Sequence, residues 1–150
     1  MNRIHLATAL VRQGDRVLLV ASKYPSHPQP LWNLPGGRQL PGELLPETAA
    51  RELFEETGLH GFVKELCYVS ESYDAQTQIT NATFAVEAAG SPVVPPGDAD
   101  HIVAAEWVRL SEIETRLTIA VVREPLLVYL REGTRYAGYA DAGVSIVFPD

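Results

Sequence analysis

At 150 residues, 46% of them hydrophobic and 21% charged, the chain has the composition of a soluble globular protein and the length of one domain spanning 1–150. A net charge of −7, with ten arginines and two lysines, excludes the basic footprint of a protein that binds long nucleic acids, but suits a small phosphorylated substrate neutralised locally. The sequence has no run of 18 apolar residues, and MNRIHLATAL lacks a cleavable-signal layout, so no membrane partner and a cytoplasmic location are expected.

Ile4 to Arg12 and Arg16 to Lys23 read as two strands flanking the turn Gln13-Gly14-Asp15, both apolar enough to be central. His5 reads as an exposed or capped strand residue. Tyr24 to Pro30 carries three prolines and is an irregular loop, with His27 solvated in it. Leu31-Trp32-Asn33-Leu34-Pro35 follows; Trp32 either plugs the end of the core or stacks on a ligand ring.

The stretch Gly36 to Leu59 (GGRQLPGELLPETAARELFEETGL) organises the rest. Pro46 suits the first turn of a helix, where its missing N–H is not needed, and Gly58 suits the left-handed stop. On that helix Glu52, Glu55 and Glu56 stand at i, i+3 and i+4, so their carboxylates share one exposed face, while Ala49 and Leu53, flanked by Ala50 and Phe54, form an apolar stripe. Like charges so placed cost about 0.2–0.5 kcal/mol per pair, a cost that a divalent cation removes. Hard cations such as Mg²⁺ and Mn²⁺ take oxygen ligands. The bland reading is a wet acidic face held by Glu47–Arg51 and Arg51–Glu55 pairs. The upstream turns Pro35-Gly36-Gly37 and Pro41-Gly42-Glu43 argue against it, because glycines let the backbone approach an ion or phosphate closely.

This stretch resembles the Nudix box, G-x5-E-x7-R-E-U-x-E-E-x-G-U with U aliphatic. Gly37, Glu43, Arg51, Glu52, Leu53, Glu55, Glu56, Gly58 and Leu59 fill every specified place. The resemblance implies an α/β (α+β) fold, the Nudix α/β/α sandwich with a mixed β-sheet. It also implies Mg²⁺-dependent hydrolysis of a pyrophosphate bond in a nucleoside diphosphate linked to another moiety, with Mn²⁺ as a substitute ion. Glu52, Glu55 and Glu56 are then the metal ligands, the Gly37 carbonyl adds an oxygen, Glu52 is the base, Arg51 orients the glutamates and Glu43 braces the loop.

Beyond the box, Gly61 to Glu71 and Ile79 to Ala89 read as strands, with Phe84 and Val86 on one face. The polar stretch Ser72 to Gln78 turns between them and overhangs the site. Tyr73 in that turn, with Trp32 and Arg38, is a candidate substrate contact. Cys67, the one cysteine, lies in an apolar run and reads as core. Gly90 to His101, with three prolines, is a loop. Relatives often place an extra acid about six residues before the tryptophan of Glu106-Trp107-Val108-Arg109-Leu110; here that place is His101, so Asp100 is taken as the catalytic loop acid and Glu106 as the second choice. Ser111 is expected to cap a short helix with Glu114, and Pro125 to open another through Arg131. Val144 to Phe148 reads as an added edge strand or as a contact between two copies in a homodimer.

Nucleotide-sugars and (deoxy)nucleoside triphosphates stay open as substrates, since marks of the ADP-ribose, NADH and coenzyme A subfamilies are missing. The alternative is a non-catalytic Nudix-fold sensor that binds a nucleotide without cleaving it. Such domains lose box glutamates, and this chain keeps them. An isomerase on the same fold would need a catalytic cysteine in a pocket, for which Cys67 is poorly placed.

Overall fold

The computed structural model describes residues 1–96 and 101–141. Its strands are β1 (Asn2–Leu10), β2 (Arg12–Gln13), β3 (Arg16–Ser22), β4 (Leu31–Asn33), β5 (Gly36–Arg38), β6 (Phe62–Tyr73), β7 (Thr77–Glu87), β8 (Ile102–Arg109) and β9 (Tyr136–Tyr139). Its helices are α1 (Leu45–Thr57), α2 (Ile113–Arg116) and α3 (Ala120–Glu132). One sheet runs β5-β1-β7-β6-β9, with β1–β7 and β6–β9 parallel and the other pairs antiparallel; a second joins β2, β3, β4 and β8. The fold is therefore α+β with a mixed sheet.

The period of two along β1 explains the layering. Ala7 and Ala9 face Ala49 and Leu53 of α1, in a core with Ala82, Phe84 and Val86 of β7. Leu10 faces the other way, into a core with Tyr68, Leu126 and Leu127. In β3, Leu18 serves the first core while Val17 and Leu19 serve the second. Both sheets thus make one middle layer, with α1 on one face and α3 on the other.

The expected first hairpin is divided between the sheets. The chain leaves the first sheet after Leu10, and β2, not β1, pairs with β3. At Val11, which is buried, the carbonyl accepts the Leu18 N–H at 3.0 Å and carries the crossing. The loop 74–76 is tighter than expected, because Asp74 Oδ1 accepts the N–H groups of Gln76 and Thr77, both at 2.8 Å. These bonds hold the Asp74 carboxyl below its usual range.

Two helix readings change. Ser111 lies within a 3-10 turn, Leu110–Glu112, and α2 has no side-chain cap. Pro125 sits inside α3, which starts at Ala120; the ring is buried with Leu126 and Leu127, so packing outweighs the hydrogen bond that a proline removes. Cys67 is core as expected, and burial pushes its thiol pKa up. The segment proposed as an edge strand or dimer contact, 144–148, lies outside the described residues.

Candidate active site

Helix α1 begins where the box loop ends. Glu47 Oε1 accepts the Leu44 N–H at 2.9 Å, Pro46 occupies the first turn, and Gly58 takes φ 73° as the N–H closes onto Phe54 O. Four residues apart, Thr48, Glu52 and Glu56 are all buried, together with Ala49 and Leu53. The acidic face is therefore not a solvated one. Glu52 and Glu56 are 4% and 2% exposed, which corrects the expectation of an exposed cluster; only Glu55, with a side chain 42% exposed, reaches water. Phe54 is also displaced from the expected stripe. It is exposed, and its ring stacks on His60 at 4.6 Å.

Arg51 ties the carboxylates together. Its Nε donates to Glu43 Oε2 at 2.7 Å and its Nη2 to Glu43 Oε1 at 3.1 Å, a two-pronged pair. Its Nη1 donates to Glu52 Oε1 at 3.0 Å and Glu55 Oε2 at 3.1 Å, and Nη2 also reaches Arg38 O at 3.0 Å. The partner of Arg51 on the loop side is Glu43 rather than Glu47, which is occupied at the helix start. The Arg51 guanidinium, with Thr48 Oγ1 at 2.7 Å and the Leu40 N–H, holds the Glu43 carboxyl down to about 2; the same pair raises the pKa of Arg51. Glu56 Oε1 accepts the Gly36 N–H at 2.7 Å.

The glycine pair closes this side. Gly36 and Gly37 pair with Thr8 and Ala7 at the edge of the first sheet. A Cβ on Gly36 would come within 2.5 Å of Ala7 O, and one on Gly37 within 2.5 Å of the Glu52 carboxylate. The loop lies on the glutamates with no room for a side chain.

On the opposite face of the same sheet lies a cavity. Leu6 and Thr8 of β1, Asn81 of β7, Tyr73 at the end of β6, Leu34 after β4 and Val121 of α3 are among its walls. Asn33 also lines it, with Oδ1 accepting the Leu34 N–H at 2.7 Å. Three residues separate Asn33 from Gly37, so one short segment runs around the sheet edge from the cavity to the carboxylates.

The family model described as NUDIX domain matches residues 1–129. The chain belongs to the Nudix family. Phosphatase NudJ of Escherichia coli (strain K12) is 30% identical to it over 142 residues, 91% of this chain and 89% of NudJ. A Bacillus subtilis (strain 168) protein is 47% identical over 49 residues, and the match spans only 30% of that relative's length. Among solved structures, the MutT protein of Methanosarcina mazei Go1 superposes with a TM-score of 0.74 at 24% identity, over 89% of this chain and 97% of that one. This Nudix protein is accordingly a pyrophosphohydrolase.

The structure of this Nudix protein gathers Gly37, Arg51, Glu52, Glu55 and Glu56 on the α1 face. Tyr73 stands apart from them, in the cavity wall. Trp32 is not among the cavity residues: it packs on the second core, and the Arg116 guanidinium lies 4.2 Å above its ring. Arg116 in turn pairs with Glu106 at 2.7 Å, so the second-choice acid is engaged away from the box. Arg38 lies on β5 opposite Leu6, beside Gly37. Asp100 lies outside the described residues. Thr8, Asn33 and Asn81 were not singled out from the sequence. Each is an ordinary polar residue in an apolar strand or loop, and only the alternation along β1 and β7 could have marked Thr8 and Asn81 as sharing a face.

The side chains suit a hard divalent cation. Glu43, Glu52, Glu55 and Glu56 supply oxygens only, Arg51 bridges three of them, and the Gly37 backbone is packed against one. Among the described residues no group of three or more His, Cys, Asp or Glu side chains is already arranged as a metal cage. Arg51 and the Gly36 N–H hold the box carboxylates in their present positions. No helix of the described residues is long and apolar enough to cross a membrane.

Proposed function

We propose that the chain hydrolyses the pyrophosphate bond of a nucleoside diphosphate linked to a second moiety, in a Mg²⁺-dependent reaction for which Mn²⁺ can substitute. Glu52, Glu55 and Glu56 would hold the ion, with the Gly37 carbonyl as a further oxygen. When bound, such an ion neutralises phosphate oxygens and makes a bound water more acidic. The observation that carries this reading is the burial of Glu52 and Glu56 against the glycine pair, since buried carboxylates next to a side-chain-free turn suit an anionic substrate only together with a cation.

The chain's own groups have separable tasks. Arg51 Nη1 fixes the Glu52 and Glu55 rotamers, the Gly36 N–H fixes Glu56, and Glu43 anchors Arg51 to the loop. Glu52 takes the proton of the attacking water as its oxygen bonds to phosphorus and the bridging P–O bond breaks, releasing a monophosphate and the phosphorylated second moiety. Asp100 is proposed as an assisting acid from the loop, and Arg38 as a phosphate contact beside Gly37. The cavity suits the uncharged part of the substrate. Its walls carry Glu71 and Asp74 and, among the described residues, no cation, so phosphates are better placed at the box.

A panel of nucleoside triphosphates and nucleotide-sugars, assayed with Mg²⁺ and with Mn²⁺ by phosphate release after phosphatase treatment, tests the reaction. In ¹⁸O water, one phosphoryl product should carry the label. Hydrolysis of no panel member, or a trapped phosphoenzyme, would overturn the proposal.

A further inference from the structure

We infer that Asn81 decides which ring the cavity accepts, by offering its side-chain oxygen to an exocyclic amino group of the substrate. This rests on the reading of the cavity as the site for the uncharged part of the nucleotide. Asn81 lies on β7, the middle strand of the five-stranded sheet, in register with Leu6 and Ser70, so two ladders fix its backbone. Its Nδ2 donates to Thr83 Oγ1 at 2.9 Å. Thr83 is fully buried and shares a 2.6 Å bond with Thr8 Oγ1, in which Thr83 can donate while it accepts from the amide. Asn81 Oδ1, by contrast, is buried with no hydrogen-bond partner among the described residues, in a residue that lines the cavity.

A buried acceptor left unmatched is costly, and a site built around one rejects a ligand that lacks the donor. The neighbours Leu6, Ile79 and Val121 keep the surroundings apolar, which strengthens a hydrogen bond made there. The substrate class that follows carries an exocyclic amine where it meets β7.

The test uses nucleoside 5′-monophosphates in pairs that differ by one amino group: adenosine with purine riboside, guanosine with inosine, and cytidine with pyrimidin-2-one riboside. Binding to the full chain is measured by calorimetry, which needs no turnover. The wild type should favour the amino-bearing member of at least one pair by about tenfold or more. Asn81→Leu and Asn81→Ala should abolish that preference, whereas Asn81→Asp, which keeps an acceptor, should retain it. No preference in any pair, or a preference that survives in Asn81→Ala, would overturn the inference. Hydrolysis of no panel substrate alongside an intact monophosphate preference would reject the proposed reaction and leave the Asn81 assignment standing.

Discussion

The two faces of the first sheet are built on different principles. On the α1 face, Arg51 links Glu43, Glu52 and Glu55 in one network, and Glu56 is tied to the Gly36 N–H, so each of these carboxylates is held by a donor. On the cavity face, Thr8, Asn81 and Thr83 form a small neutral network amid leucine, isoleucine and valine, and the acids Glu71 and Asp74 are also among the walls. The first arrangement suits chemistry on a polyanion, where position must be kept against repulsion. The second suits selection of a ring by hydrogen bonds in a largely apolar setting. Changes on the α1 face should therefore act on turnover, and on stability where the Arg51 network is broken, and changes on the cavity face on binding.

The largest expected effect lies at Glu56. Glu56→Gln keeps an oxygen for the Gly36 N–H but removes the charge, so kcat should fall about a hundredfold or more while Tm stays close to wild type. Equal loss of both would make Glu56 a structural residue. Addition of millimolar Mg²⁺ or Mn²⁺ should raise the wild-type Tm, and raise that of Glu56→Gln less.

Arg51→Ala comes next. It leaves Glu43, Glu52 and Glu55 without their shared cation, and with the Arg51 side chain 24% exposed the loss should be about 2–3 kcal/mol in urea unfolding. Arg51→Lys should recover only part, because an ammonium cannot grip Glu43 with two parallel bonds. Wild-type stability in Arg51→Ala would mean that the network does not hold the loop.

Glu43 gives the same comparison a pH axis. Its carboxyl lies at about 2 in the folded chain, against an ordinary 4.5, so its contribution is fully present above about 4.5 and is lost as pH falls towards 2. The stability gap between wild type and Glu43→Gln should be constant at neutral pH and narrow across that window. A gap that does not change between pH 6 and pH 2.5 would contradict the pairing with Arg51.

The smallest effect is expected on the cavity face. Tyr73→Ala should raise KM about three- to tenfold and leave kcat within about twofold, because the residue lines the cavity and touches none of the box carboxylates. A fall in kcat with KM unchanged would erase the division between the faces.

The sequence by itself determined the helix of the box, its proline start and glycine stop, and the carboxylates on it, because α-helical spacing is local and Glu52, Glu55 and Glu56 must share a face wherever the helix lies. It also determined the core character of Cys67, Phe84 and Val86, which follows from apolar content and alternation. Tertiary structure alone decided that Glu52 and Glu56 are buried, since burial depends on the glycine loop that β1 presses onto the helix from more than forty residues away in sequence. It decided that the first hairpin splits at Val11, because membership of a sheet is set by partners and not by the strand itself. It placed Pro125 within a helix whose packing outweighs local preference. The cavity was beyond sequence for the same reason: its walls come from β1, β6, β7, the segment after β4 and α3, and no local spacing connects Thr8, Asn33, Asn81 and Val121 until parallel pairing of β1 with β7 and the docking of α3 bring them together.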